Sequence, residues 1–111
     1  MNYDFQLTYQ ANEDLDEIVR YISVELANKK AAIDFLTTVE EVIQEACLFP
    51  ESGLLVENDF LPDTGIRKKP IGHYHLYYLP KHDDKTIVVL RIIYGKRDLN
   101  ALLLRVMQEN E

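Results

Sequence analysis

Residues 65–98 read GIRKKPIGHYHLYYLPKHDDKTIVVLRIIYGKRD, and this stretch decides the fold. From Gly65 the apolar pattern has a period of two, the period of a pleated strand with one side buried. Ile66–Lys69 makes a short strand. Pro70 then removes a ladder donor, and Gly72 permits a tight turn. His73–Leu79 is a strand with two faces: His73, His75, Tyr77 and Leu79 on one, Tyr74, Leu76 and Tyr78 on the other. Tyr74 and Tyr78 are expected in the core. Lys81–Lys85 is a polar hairpin loop. Thr86–Tyr94 is dense in β-branched residues and apolar on both faces except at Arg91, as expected of a central strand. Arg91 is expected to pair with an acidic side chain, because an unpaired buried charge is costly. Three strands joined by short turns form an antiparallel meander.

Working outward, residues 3–9 alternate, with Tyr3, Phe5, Leu7 and Tyr9 on one side, and predict an N-terminal strand. Asn12 is placed as the N-cap of a helix, with Glu13 and Asp14 in its first turn. Leu15, Ile18, Val19, Ile22 and Leu26 recur at helical spacing, so residues 12–27 form an amphipathic helix. Asn28 is the turn residue. A second helix, 29–47, carries the stripe Ala32, Phe35, Leu36, Val39, Val42, Ile43 and Ala46, and Pro50 and Gly53 end it. Helices this close in sequence pair as an antiparallel αα-hairpin. Residues 51–64 form a long apolar loop, and Leu99–Val106 suits a short terminal helix. The order β-α-α-β-β-β-α describes an α+β fold of two layers, with the helical hairpin on one face of the meander.

The whole chain, 1–111, suits a single domain. Apolar residues are 47 % and charged residues 28 %, an ordinary globular composition. No apolar run approaches the roughly 20 residues that span a bilayer, and the N-terminus lacks the pattern of a signal peptide. Cys47 is the one cysteine and reads as a small buried hydrophobe. A reducing, cytoplasmic setting is expected, with no membrane association. The net charge of −7 is unevenly spread. Residues 1–64 hold three basic and fourteen acidic side chains, whereas residues 65–97 hold eight basic and two acidic. Cations from the last three strands are therefore expected to gather on the side of the sheet that the helices leave open. The competing reading is that the two halves neutralise one another across the fold.

Four stretches together resemble the RelE/ParE toxin superfamily of type II toxin–antitoxin systems, which includes plasmid-stabilisation toxins. They are A-x-x-D-L-x-E-I-x-x-Y-I from Ala11 to Ile22; A-A-x-x-F-L from Ala31 to Leu36 closing with F-P-x-x-G from Phe49 to Gly53; G-I-R-K-K-P-I-G-H-Y-H-L-Y-Y from Gly65 to Tyr78; and L-R-I-I-Y-G-K-R-D from Leu90 to Asp98. The resemblance covers about residues 5–100 and implies the superfamily's fold. It also implies one of two activities. RelE-type members cut messenger RNA in the ribosome, and ParE-type members poison DNA gyrase without being nucleases. The helical hairpin and the R-I-I-Y-G-K-R-D ending look more like ParE.

An RNase reading would draw on positions implied by the resemblance. Arg97 falls at one RelE catalytic arginine and His75 at another. Lys68 and Lys69 lie near the RelE lysines. Leu103 stands where RelE has a tyrosine, and leucine cannot transfer a proton. His73, on the same expected strand face as His75, would complete a metal-independent set with Arg97. A binding reading instead uses Arg67, Lys68, Lys69, Arg91, Tyr94, Lys96 and Arg97 as contacts to the target. The bland alternative for Arg67, Lys68 and Lys69 is solvated edge charge that guards against strand aggregation. The resemblance also implies a cognate antitoxin and a toxin–antitoxin hetero-oligomer. Leu54, Leu55 and Phe60 are the expected antitoxin contacts, and a basic antitoxin segment is expected against the acidic hairpin. No metal site, phosphate loop or nucleophile elbow is present, and no cofactor is expected. Three functions stay open: a gyrase inhibitor, a ribosome-dependent endoribonuclease, and an inactive homologue that only binds its antitoxin.

Overall fold

A computed structural model describes residues 2–56 and 64–95. The elements run β1 (Asp4–Leu7), α1 (Tyr9–Arg20), a wide π-helical turn (Tyr21–Glu25), α2 (Lys29–Leu48), β2 (Leu54–Leu55), β3 (Arg67–Ile71), β4 (Tyr74–Lys81) and β5 (Thr86–Tyr94). They form a mixed α+β structure, two helices on a five-stranded sheet of order β1-β5-β4-β3-β2. The meander β3-β4-β5 is antiparallel, and β1 pairs with β5 in parallel. β5 is an interior strand, flanked by β1 and β4, as its two-sided apolar pattern implies.

The first helix is capped four residues earlier than expected. Thr8, not Asn12, is the N-cap: its Oγ1 accepts from the amide of Ala11 at 3.1 Å and donates to the Leu90 carbonyl at 2.8 Å. A cap that also closes a strand edge outcompetes one that serves the helix alone. Tyr9 consequently leaves the strand and lies 73 % exposed on the helix. Asn28 caps α2 through its side chain on Ala31 N, so the expected turn residue begins the second helix.

Both helices bury one face against the sheet. Ala11 and Ile18 of α1 and Val39, Ile43, Ala46 and Cys47 of α2 join Ile71, Leu76, Tyr78, Ile87, Val89 and Ile92 in the main core. A second apolar cluster on the opposite side holds Val56, Ile66, Tyr77, Val88, Leu90 and Ile93. A bulge in β5 lets one strand supply both. Tyr77 stands opposite Arg91 but Tyr78 opposite Val89, so Leu90 is the extra residue. Beyond it the alternation changes parity, and Ile92 rejoins the helix side while Ile93 joins the far side.

Three expectations about the strands need correction. The long loop contains β2, a two-residue edge strand whose Leu54 and Leu55 pair with Lys68 and Arg67. Pro70 lies inside β3 instead of ending it. β2 stops opposite Lys68, so β3 has a free edge from Lys69 onward, where a missing N–H leaves no ladder bond unmade. His73 is not in a strand: with Gly72 (φ +59°) it forms the two-residue turn between Ile71 and Tyr74. The expected helix Leu99–Val106 lies outside the described residues.

The F-P-x-x-G stretch has a direct packing explanation. The buried Tyr78 hydroxyl donates to the Pro50 carbonyl and accepts from the Gly53 amide, both at 2.9 Å. A Cβ on Gly53 would stand 2.7 Å from that hydroxyl, so no larger residue fits without displacement. Arg67 closes the same loop, its Nη1 donating to the carbonyls of Glu51 and Gly53 at 3.0 and 2.7 Å.

Candidate functional site

On the sheet side away from the helices, β3 and β4 bring Lys68, His75 and Tyr77 together. Lys68 stands across the ladder from Tyr77, and His75 lies two residues before Tyr77 on the same strand. His75 Nδ1 and the Tyr77 hydroxyl are 3.3 Å apart, with the rings edge to face at 6.1 Å. Burial, and then the Lys68 ammonium, hold the His75 imidazole below its ordinary pKa of 6.5. Burial pushes the Tyr77 hydroxyl up. At neutral pH the pair is thus a neutral imidazole beside a protonated phenol, suited to accepting or relaying a proton. Gly95 follows β5 and closes on this group: its amide donates to the His73 carbonyl at 3.0 Å, and a Cβ there would meet His75 Cε1 at 3.2 Å.

The expected gathering of cations does not form among the described residues. Lys69 is buried and paired with Glu45 of α2. Arg91 is buried and bidentate on Asp14 of α1, through Nε at 2.7 Å and Nη2 at 2.8 Å. The same carboxylate accepts the Ile92 amide at 2.9 Å. This happens because β1 ends opposite Val89, and Asp14 then satisfies the edge of β5 that β1 leaves bare. Arg67 serves the Glu51–Gly53 loop. Only Lys68 of these four joins His75. His73 is exposed in its turn, and His82 lies in the hairpin loop with Nδ1 2.7 Å from the Tyr3 hydroxyl. Lys96, Arg97 and Leu103 lie outside the described residues. No group of three or more His, Cys, Asp or Glu side chains is placed to hold a metal among the described residues.

Of the expected antitoxin contacts, Leu54 and Leu55 are 70 % and 45 % exposed on the edge strand β2, and Phe60 lies outside the described residues. A second surface lies at the tip of the helical hairpin, whose exposed faces were also expected to meet the antitoxin. Tyr21, Ile22, Leu26, Ala31, His73, Tyr74 and Tyr94 line an open groove of about 650 Å³ between the tip of the helical hairpin and the ends of β4 and β5. Tyr94, an expected target contact, is on its wall. Ile22 packs against the main core as its helical spacing implies, but Leu26, on the same stripe, is 54 % exposed, since that spacing assumes regular turns. The wide turn at Tyr21–Glu25 breaks that assumption.

Comparisons with known proteins agree with this geometry. Two solved structures share the fold. One is the toxin–antitoxin complex RelBE2 of Mycobacterium tuberculosis, 19 % identical over 85 % of this chain and 99 % of that one, with a TM-score of 0.61. The other is the chromosomal ParDE toxin–antitoxin system of P. aeruginosa, 20 % identical over 83 % of this chain and 95 % of that one, with a TM-score of 0.64. No curated protein matches the sequence. No helix among the described residues is long and apolar enough to cross a membrane. The family model for the ParE toxin of the parDE type II toxin–antitoxin system matches residues 5–99, most of the sequence, and the chain belongs to that ParE toxin family.

Proposed function

We propose that this ParE-family toxin arrests growth by acting on DNA gyrase as a binding protein in the cytoplasm, and that a cognate antitoxin restrains it in a hetero-oligomer. The family match carries this reading, because it falls on ParE and spans the helical hairpin, the meander and the G-K-R stretch together. The side-chain geometry supports it. Lys69, a cation of the RNase set, is committed to Glu45, and Arg91, expected only as a target contact, is committed to Asp14, so neither is left for a target. The net charge of −7 also opposes close approach to RNA. The antitoxin is assigned to the exposed Leu54 and Leu55 on β2, with Phe60 beside them in sequence, and the two solved toxin–antitoxin complexes of the same fold support such a partner.

One observation favours a second reading, a ribosome-dependent endoribonuclease. His75, Tyr77 and Lys68 form a proton-accepting group with an adjacent cation, and the resemblance puts a RelE catalytic arginine at the position of His75. Induction in cells without antitoxin separates the two. Filamentation with a DNA-damage response is the expected outcome. An abrupt stop in protein synthesis, with new 5′ ends in messenger RNA, would move the assignment to the nuclease. Absence of growth arrest would leave an antitoxin-binding homologue.

A further inference from the structure

Where α1 passes into its wide turn, three tyrosines from three elements meet in a pocket beside that groove. Tyr21 of the turn, Tyr74 of β4 and Tyr94 of β5 line a cavity of about 210 Å³ together with Glu17 of α1. The rings of Tyr74 and Tyr94 stand 5.8 Å apart at 70°, and Phe35 braces Tyr74 from behind at 5.5 Å. Tyr21 and Tyr94 are 48 % and 42 % exposed, so their rings are open to a ligand. Glu17 is exposed at the rim and has no ion-pair partner among the described residues. Asp14 also lines the cavity, but Arg91 holds it. The same three tyrosines also wall the groove lined by Ile22, Leu26, Ala31 and His73.

Aromatic walls with a free carboxylate at the rim suit a cation, whose charge faces the negative ring surfaces while the carboxylate neutralises it. The surrounding half of the chain, with three basic and fourteen acidic residues, attracts the same sign. A planar guanidinium stacks on such rings better than a compact ammonium does, and the apolar groove accepts the residues beside it. We propose that this pocket receives an arginine of a partner-protein segment, its guanidinium among the tyrosine rings and against Glu17, with flanking apolar side chains in the groove. The inference rests on the reading that the toxin binds a protein partner, and it is indifferent to whether gyrase or messenger RNA is the target.

The test needs neither gyrase nor antitoxin, so its failure is distinguishable from failure of the function. The full chain is titrated with Nα-acetyl-arginine N-methylamide and with the citrulline analogue, which has the same shape and no charge. Tyrosine ring resonances are followed by NMR. The arginine probe is expected to shift the Tyr21 and Tyr94 rings and to bind about fivefold more tightly than the citrulline probe. Glu17→Gln and Tyr94→Leu are each expected to remove most of that preference while leaving the amide spectrum folded. Glu17 is exposed and outside the core, which keeps its variant interpretable. Equal binding of the two probes, shifts confined to other acidic surfaces, or an undiminished preference in both variants would overturn the proposal.

Discussion

The two faces of the sheet treat charge in opposite ways. On the helix side Lys69 is buried against Glu45 of α2, at the β5 edge Arg91 is buried against Asp14 of α1, and these ion pairs tie the helices to the sheet. On the far side Lys68 and His75 are only half-buried and meet a tyrosine instead of an acid. The same run of basic sequence therefore divides between architecture and a chemically available group. Alternation along a strand sends adjacent residues to opposite faces, so consecutive Lys68 and Lys69 receive different roles. Charge alone does not report function until each residue's face is known.

The contrast is broken most severely at Asp14. Asp14→Ala removes both carboxylate bonds from the buried Arg91 and the acceptor of the Ile92 amide. A loss of about 3–5 kcal/mol in unfolding free energy is expected from denaturant titration. If stability is unchanged, the α1–β5 junction is not held as described. Next comes Gly53→Ala, whose Cβ would crowd the Tyr78 hydroxyl at 2.7 Å. A loss of about 1–3 kcal/mol is expected, and Tyr78→Phe should cost a similar amount by leaving the Gly53 amide without its acceptor.

The far face yields smaller effects. The folded pKa of His75 lies below that of the unfolded chain, so the unfolded chain binds more protons in the window between them. The stability contributed by the neutral imidazole is full above about pH 6.5 and declines as pH falls through the folded value. Denaturant midpoints above and below that pH should differ, and His75→Gln should flatten the difference. A slope unchanged by His75→Gln would place the titrating group elsewhere. The smallest effect belongs to Lys68→Ala, expected within about 0.5 kcal/mol of wild type, since Lys68 makes no buried ion pair. A larger loss would mean that both faces use their cations for architecture.

Much of the fold was legible in the sequence because its periods are strong. The stripe of α2 and the β-branched run of β5 placed those elements within a residue or two, and the two-sided apolarity of β5 placed it inside the sheet. The pairing of Arg91 with an acid followed from the cost of burying a lone charge. What escaped depends on contacts distant in sequence. Thr8 caps α1 because it also bonds to Leu90, 82 residues away. β2 exists because Arg67 and Tyr78 pin its loop. The site was less legible. His73 and His75 share a strand face in any alternating reading, but the Gly72 turn takes His73 out of the strand. The cation cluster expected on the open side dispersed, since a period of two cannot say which carboxylates lie overhead. The tyrosine-lined groove hides behind a π-helical turn that regular helical spacing does not anticipate.

The proposed engagement of gyrase makes the far-face histidine a bystander. Purified protein added to a gyrase supercoiling reaction measures this most directly. Dose-dependent inhibition, retained in His75→Ala, is the expected result. Undisturbed supercoiling, together with His75-dependent cleavage of messenger RNA on translating ribosomes, would contradict it.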